Sequence, residues 1–326
     1  MVHDIQTDEL KVGMYVILPG SWFSHSFLRN EFLITSEDQI VKIIDGKVRH
    51  VTVDFAKSSI PKQQTKGTLS SWPDTQPPAG GRIIPDLLGT VIHDKTLPPQ
   101  KKAQVVKQYS AIMMKNLLES PTAGSIREAK KGISEIVDMI IADDDTAQYM
   151  LSITSHDYYT YTHSVNVGVL AVSLSKALFE KSRDHDLHEL GAGFFLHDLG
   201  KVRVDINIIQ KQGKLTDEEM NQMKRHPDVG YKILHETGQL TDECGKIVLQ
   251  HHERVDGMGY PQALRGKEIH IYGRICSIAD VFDALTTERP YRKKLEPFQA
   301  LTLMKNEMMH HFQRDIFEHF VMLFKQ

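Results

Sequence analysis

His251-His252-Glu253-Arg254-Val255-Asp256-Gly257-Met258-Gly259-Tyr260-Pro261 is the stretch whose reading organises this chain. Two adjacent imidazoles close an apolar run, Ile247-Val248-Leu249, and Asp-Gly followed by Gly-Tyr-Pro comes at once after them. A helix that delivers ligands and then stops in a rigid turn has this pattern. His197-Asp198 lies upstream and the Asp280/Asp283 pair downstream, so the three clusters together suggest a polynuclear metal site.

The rest of the composition narrows the setting. The chain has 326 residues, 40% hydrophobic and 25% charged, which is ordinary for a globular protein and long enough for two domains. A formal net charge of −3 supplies no overall basic field, which disfavours tight binding to long nucleic acid and leaves room for a small phosphate ligand at a local basic patch. The two cysteines, Cys244 and Cys276, belong to no C-x-x-C pattern, so neither a disulfide scaffold nor a thiolate zinc knuckle is expected. Met1-Val2-His3-Asp4-Ile5-Gln6 has no basic or apolar leader pattern, and no apolar run approaches the roughly 18 residues of a membrane span. A cytoplasmic, soluble protein without a membrane partner is the expectation. Of the 17 histidines, 13 lie beyond residue 150, which is where the chemistry should lie.

Taken in order, residues 1–57 read as a small β-rich N-terminal domain. Its runs Gly13 to Leu18, Phe32-Leu33-Ile34, Ile40 to Ile44 and Val51-Thr52-Val53 are separated by turn residues, and Asp45-Gly46 is a hairpin signal. Residues 58–99 read as a linker, flexible from Ser58 to about Gly81, with a more apolar continuation from Arg82 to Pro99 that can pack locally. Residues 100–326 read as all-α. Helical spacing runs through Val105 to Leu117, Ile126 to Ile141, Tyr158 to Phe179 and Leu187 to Lys201. The capping box Thr216-Asp217-Glu218-Glu219 opens a helix towards His226-Pro227, and helix resumes over Gly230 to Glu236. Further helices are expected over Thr241 to His252 and Ile271 to Leu285. Pro297 to Gln326 reads as amphipathic helix, with His310, His311 and His319 on the surface without carboxylate company.

Seven residues on five segments are candidate metal ligands: His163, His197, Asp198, His226, His251, His252 and Asp280. A lone histidine such as His163 is more often a satisfied core or surface residue; the company raises it. An imidazole and a carboxylate deep on a helix as apolar as Phe194-Phe195-Leu196 are costly unless something pairs them. Seven protein ligands exceed what one catalytic ion takes while keeping a position for water, so two ions sharing Asp198 is the economical arrangement. A nitrogen and oxygen donor set without sulfur suits iron, manganese or zinc. Two such ions supply hydroxide at neutral pH and hold phosphoryl oxygens, which is phosphoester hydrolysis. Lys201, one turn beyond Asp198, can reach the same site and stabilise charge on the phosphate.

The series His163, His197-Asp198, Asp280 resembles the HD superfamily of phosphohydrolases. The fuller pattern adds His197-Asp198-Leu199-Gly200-Lys201, His226-Pro227-Asp228-Val229-Gly230, His251 to Pro261, and Asp280 to Arg292. It resembles the HD-GYP family of bacterial cyclic-di-GMP phosphodiesterases over about Asp157 to Arg292, and the segment before it is similar to the small domain often found ahead of HD-GYP domains. The resemblance implies an HD-type helical catalytic domain, a centre of iron or manganese, and hydrolysis of cyclic-di-GMP to the linear dinucleotide or on to GMP. It implies that His163, His197, Asp198 and Asp280 hold one ion, and Asp198, His226, His251 and His252 the other. Lys201 would face the phosphate, and Tyr260, Arg289 and Arg292 would contact the dinucleotide, a role guanidinium forks suit. One departure is Tyr159, where members with a third metal carry a Glu four residues before the first histidine; two ions are therefore expected. The family also has members acting on cyclic GMP-AMP. Two other readings are a catalytically silent cyclic-dinucleotide sensor and an HD-type hydrolase of nucleoside phosphates. Lys201 and the intact ligand set oppose the first; Tyr260-Pro261 and the Arg289/Arg292 pair oppose the second. The N-terminal module could dimerise, tether or meet a protein partner.

Overall fold

The computed structural model describes residues 2–7, 10–17, 31–34, 39–40, 43, 50–54, 57–58, 83–85, 87–153, 160–211, 213–288 and 293–325. They fall into two compact units, Met1–Pro78 and Ala79–Gln326.

In the first unit, β1 (Val2–Gln6), β2 (Tyr15–Ile17), β3 (Glu31–Leu33) and β4 (His50–Asp54) form an antiparallel sheet in the order β1-β4-β2-β3. Val51 and Val53 are buried while Thr52 and Asp54 are half-buried, the period-two alternation of a one-sided sheet. These valines pack with Leu10, Met14, Val16, Ile34, Ile40 and Ile43. The Ile40 to Ile44 run, expected as a strand, is helical at Gln39, Ile40 and Ile43. Three-residue spacing puts both buried isoleucines on one helical face, and that burial outweighs their β propensity. Asp45-Gly46 lies outside the described residues.

The regular elements described in the second unit are helices: α1 (Leu87–His93), α2 (Pro99–Glu119), α3 (Ala123–Ala142), α4 (Asp144–Ser152), α5 (Thr160–Phe179), α6 (Leu187–Leu196), α7 (Ile206–Ile209), α8 (Asp217–Met223), α9 (His226–Glu236), α10 (Asp242–Gln250), α11 (Ile271–Thr286), α12 (Pro297–Glu307) and α13 (Arg314–Met322). α1 lies inside the 58–99 segment and buries Leu88, Val91 and Ile92 in the helical core. Lys107 on α2 donates from Nζ to the carbonyls of Met150 (3.2 Å) and Ile153 (2.8 Å), satisfying acceptors that the end of α4 leaves open.

α5 is buried continuously from His163 to Ser175, so it runs through the middle of the helical core. A Cβ on Gly168 would stand 2.2 Å from the Phe195 ring. Glycine there lets α5 and α6 approach closely, which brings His163 and His197 within reach of each other. α6 ends at Leu196 rather than running on to Lys201, and the chain tightens into a 3-10 turn over Leu199–Arg203. That turn presses Gly200 onto the start of α9, where an added Cβ would lie 1.9 Å from the His226 carbonyl and 2.6 Å from the Gly230 nitrogen. Helix α9 begins at His226 instead of resuming at Gly230, because a proline in the first turn forfeits no hydrogen bond. The tail after Pro297 is two helices, not one, divided by a 3-10 turn at Met309–His311 beside buried Phe312.

Gly200→Ala should destabilise the protein by about 3 kcal/mol, the upper part of the range for overpacking, because the obstacle is backbone and cannot rotate away. A lowered urea midpoint at unchanged slope checks this; an unchanged midpoint contradicts the packing described.

Candidate metal centre

Three of the histidines are built the same way. His197 follows α6, His251 follows α10, and His226 follows the end of α8; each donates from Nδ1 to the carbonyl three residues earlier. The acceptors are Phe194 (2.8 Å), Val248 (2.9 Å) and Met223 (2.8 Å). The last turn of a helix leaves carbonyls without partners, so the imidazole both satisfies one and is fixed in its tautomer. A carbonyl only accepts, so the proton sits on Nδ1 and Nε2 is left with a bare lone pair.

Those lone pairs converge on Asp198, which is 1% exposed. His226 Nε2 lies 3.2 Å and His251 Nε2 3.8 Å from Oδ1, whereas His197 Nε2 lies 3.5 Å and His163 Nε2 3.6 Å from Oδ2. His163 Nε2 is also 3.1 Å from Asp280 Oδ1, and His252 Nδ1 is 3.4 Å from Asp280 Oδ2. The Nε2 atoms of His226 and His251 stand 3.0 Å apart, acceptor against acceptor. His197 Nε2 and Asp198 Oδ1 are buried without a hydrogen-bond partner. Buried acceptors aimed at one another are costly unless a cation lies among them. The donors fall into two groups, His163/His197/Asp280 and Asp198/His226/His251/His252, each with its ligand atoms within 4.8 Å of one another. This His/Asp cluster can hold divalent metal. All seven candidate ligands are brought together.

Electrostatics keep the donors in their ligating forms. Burial pushes the His251 imidazole well down, with His252 and His197 adding to it, and burial brings His252 down to about 3. Burial would raise the Asp198 carboxyl, but Lys201 and then His197 override it and hold it well below the usual range. Burial likewise opposes ionisation of Asp280, but its contacts with His163 and His252 hold its carboxyl far below the usual range. Lys201 Nζ donates to Asp198 Oδ2 at 2.5 Å, so its ammonium stands at the centre's edge.

The glycine-rich turn is braced from beneath. Glu253, 2% exposed, accepts from the backbone N–H of Gln262 (2.7 Å) and of Leu264 (3.0 Å). A Cβ on Gly259 would meet Glu253 Cα and Arg254 N at 2.5 Å, which is why glycine stands there. The turn lays the Tyr260 ring on His252, centroids 4.6 Å apart at 32°, with Lys224 Nζ 5.6 Å from its centre. Burial and the negative charges of Asp280 and Asp198 push the Tyr260 phenol up, so it remains a donor. Arg289 and Arg292 lie outside the described residues, as does Tyr159.

Asp283, expected from the sequence as the partner of Asp280 in the metal cluster, stands behind His163 instead, accepting from its Nδ1 at 2.7 Å, and Asn166 donates to Asp283 at 2.8 Å. Asn166 and Glu253 carried no role in the sequence reading. The signals of the three were i,i+3 spacing from Asp280 and from His163, and adjacency to His252; which face those spacings serve depends on the neighbouring helices. His310 and His319 are exposed, as expected, but His310 and His311 do have carboxylate company: His310 Nε2 is 4.0 Å from Asp256 Oδ2, and Asp256, His310 and His311 form a third donor group, with Asp256 already ion-paired to Arg254.

The family described as HD domain matches residues 113–316. A second, described as the domain of unknown function DUF3391, matches residues 3–141. The chain belongs to the HD domain family. Cyclic di-GMP phosphodiesterase PA4108 of Pseudomonas aeruginosa is 31% identical over 98% of this chain and 76% of its own length. The 3'3'-cGAMP-specific phosphodiesterase 3 of Vibrio cholerae is 35% identical over 46% of this chain and 32% of its own. Among solved structures, Bd1817, a HDG"Y"P protein from Bdellovibrio bacteriovorus, shares the fold with TM-score 0.64, 17% identity and full coverage of both chains. No helix among the described residues is long and apolar enough to cross a membrane.

The histidine shifts set a pH dependence for the metal-free protein. Unfolded histidines take up protons as pH falls through about 6.5, whereas folded His251 and His252 do not, so the unfolded state binds more protons and stability falls with pH. Asp198 and Asp280, both depressed, extend the loss below about pH 4. Denaturant titrations of the chelated protein should lose about 4 kcal/mol as pH falls from 7 to 5, roughly 2 kcal/mol from each of the two imidazoles. A flat profile over that window contradicts the burial of neutral imidazoles.

Proposed function

We propose that the chain is a metal-dependent phosphodiesterase that opens cyclic-di-GMP to the linear dinucleotide, holding two divalent ions of iron or manganese with Asp198 shared between them. The observation that carries this is the division of Asp198: Oδ1 faces His226 and His251, and Oδ2 faces His163 and His197. A carboxylate placed between two groups of imidazole lone pairs suits a bridging ligand, a role that these imidazoles, each left with one free lone pair, cannot take. In this reading His163, His197 and Asp280 hold one ion with Asp198, and His226, His251 and His252 hold the other.

Two cations held there would supply Lewis acidity towards a phosphate and make a water molecule nucleophilic at neutral pH. The protein's own residues do the rest. Asp198 and the three locked histidines keep their donors fixed, so little reorganisation accompanies reaction. Lys201, already beside Asp198, neutralises charge that develops on the phosphate as water adds and the ester oxygen leaves. Tyr260, resting on His252, offers its hydroxyl and ring to the dinucleotide, and Arg289 and Arg292 supply guanidinium forks to its phosphates. Residues 1–57 are an accessory module for dimerisation or a protein partner, joined through 58–99 to the catalytic residues 100–326. The cyclic-di-GMP assignment follows the relative that aligns along nearly the whole chain; cyclic GMP-AMP is the second reading because the shorter alignments include enzymes named for it.

Protein loaded anaerobically with Mn²⁺ or Fe²⁺ should convert cyclic-di-GMP to linear product, faster than cyclic GMP-AMP, and lose all turnover on chelation. Asp198→Ala should lower kcat by at least about 10³ with loss of metal, whereas Lys201→Met should cost roughly 10² in kcat with metal retained. Full metal loading without turnover on either dinucleotide would support the silent sensor instead.

A further inference from the structure

His163 differs from the other buried histidines in what stands behind it. His197, His226 and His251 give their Nδ1 protons to neutral backbone carbonyls of their own segments. His163 gives its proton across helices to the carboxylate of Asp283, at 2.7 Å, on α11. Asp283 is 3% exposed, and both its oxygens are occupied by donors: Oδ2 by His163, Oδ1 by Asn166 Nδ2 at 2.8 Å and Thr287 Oγ1 at 3.1 Å. It belongs to neither donor group of the centre. His252 also faces a carboxylate, Asp280, but Asp280 is itself a donor of the His163 group. Among the described residues Asp283 is therefore the buried carboxylate that touches a candidate ligand and offers no oxygen of its own.

The consequence is an imbalance. The His163/His197/Asp280 group has the Asp280 carboxylate in front and the Asp283 carboxylate behind His163, whereas His226 and His251 have only neutral backbone carbonyls behind them and His252 shares Asp280. A carboxylate accepting the far proton of an imidazole fixes the ring and raises its donor strength. We propose that Asp283 is a positioning residue for His163 and makes the His163/His197/Asp280 position the one that keeps its cation longer when metal is withdrawn. The proposal rests on the two-ion reading above.

The test is stepwise removal of Mn²⁺ from the full-length protein with graded chelator, followed by elemental analysis and by electron paramagnetic resonance, which separates a coupled pair from a single ion. Wild type should release its ions in two steps, the coupled signal giving way to a single-ion signal between them. Asp283→Asn keeps the size and an acceptor oxygen but removes the charge. It should move the later step to about 10- to 100-fold weaker binding, towards the earlier one, which stays in place. Thr287→Val, which loosens Asp283 without touching a candidate ligand, should move the same step in the same direction by less, and it carries the test if Asp283→Asn fails to fold. Movement of the earlier step alone, or of neither step in both variants, overturns the proposal. Wild type holding fewer than two ions overturns the two-ion reading and this inference with it, which is a distinguishable result.

Discussion

The site depends on the meeting of Asp198 with imidazoles whose protons have already been committed elsewhere. Each of His197, His226 and His251 ends or follows a helix and spends Nδ1–H on a carbonyl that the helix leaves open. The same hydrogen bond closes a helix end and aims a lone pair inward. Structural need and ligand orientation are met by one interaction, so the donors are held without a separate supporting layer. The residual strain, two Nε2 atoms 3.0 Å apart beside a buried carboxylate, is what a cation relieves.

Helix packing serves this meeting. Glycines at 168 and 200 sit where side chains would force helices apart, and both contacts lie beside candidate ligands: Gly168 against Phe195 near His197, Gly200 against the carbonyl of His226. The fully buried Phe194 and Phe195 contribute roughly 1.5–3 kcal/mol each through burial, and they anchor the turn from which His197 and Asp198 project. On the other flank Glu253 gathers the backbone of Gln262 and Leu264, which keeps Tyr260 over His252. A rigid floor and a rigid flank suit a centre whose function is to place charge rather than to change shape.

Family membership and geometry bear on different questions. The HD domain match and the relative from Pseudomonas aeruginosa place the chain in its family, while the likeness to Bd1817, at 17% identity, speaks to fold alone. How these particular donors are arranged comes from the side chains: which oxygen of Asp198 faces which imidazole, and which carboxylate stands behind His163.

The candidate ligands were legible in the sequence because metal chemistry restricts residue type: imidazole and carboxylate in apolar helices are costly, and their clustering at His197-Asp198, His226, His251-His252 and Asp280 stood out without any structure. The helical class was legible for a similar reason, since a 3.6-residue period survives in the order of residues. Local turns were not. The helix that stops at Leu196, the start of α9 at His226 and the helical Ile40/Ile43 pair are decided by what each segment packs against, which local propensity does not contain. Nor could spacing distinguish Asp280 from Asp283, or connect His310 with Asp256: residues three apart on one helix share a face, but only the position of α5 makes one a candidate ligand and the other the support of His163. Residue chemistry along the chain determined which atoms can bind metal; the tertiary structure alone decided which of them meet, because contact between segments more than a hundred residues apart depends on how whole helices pack.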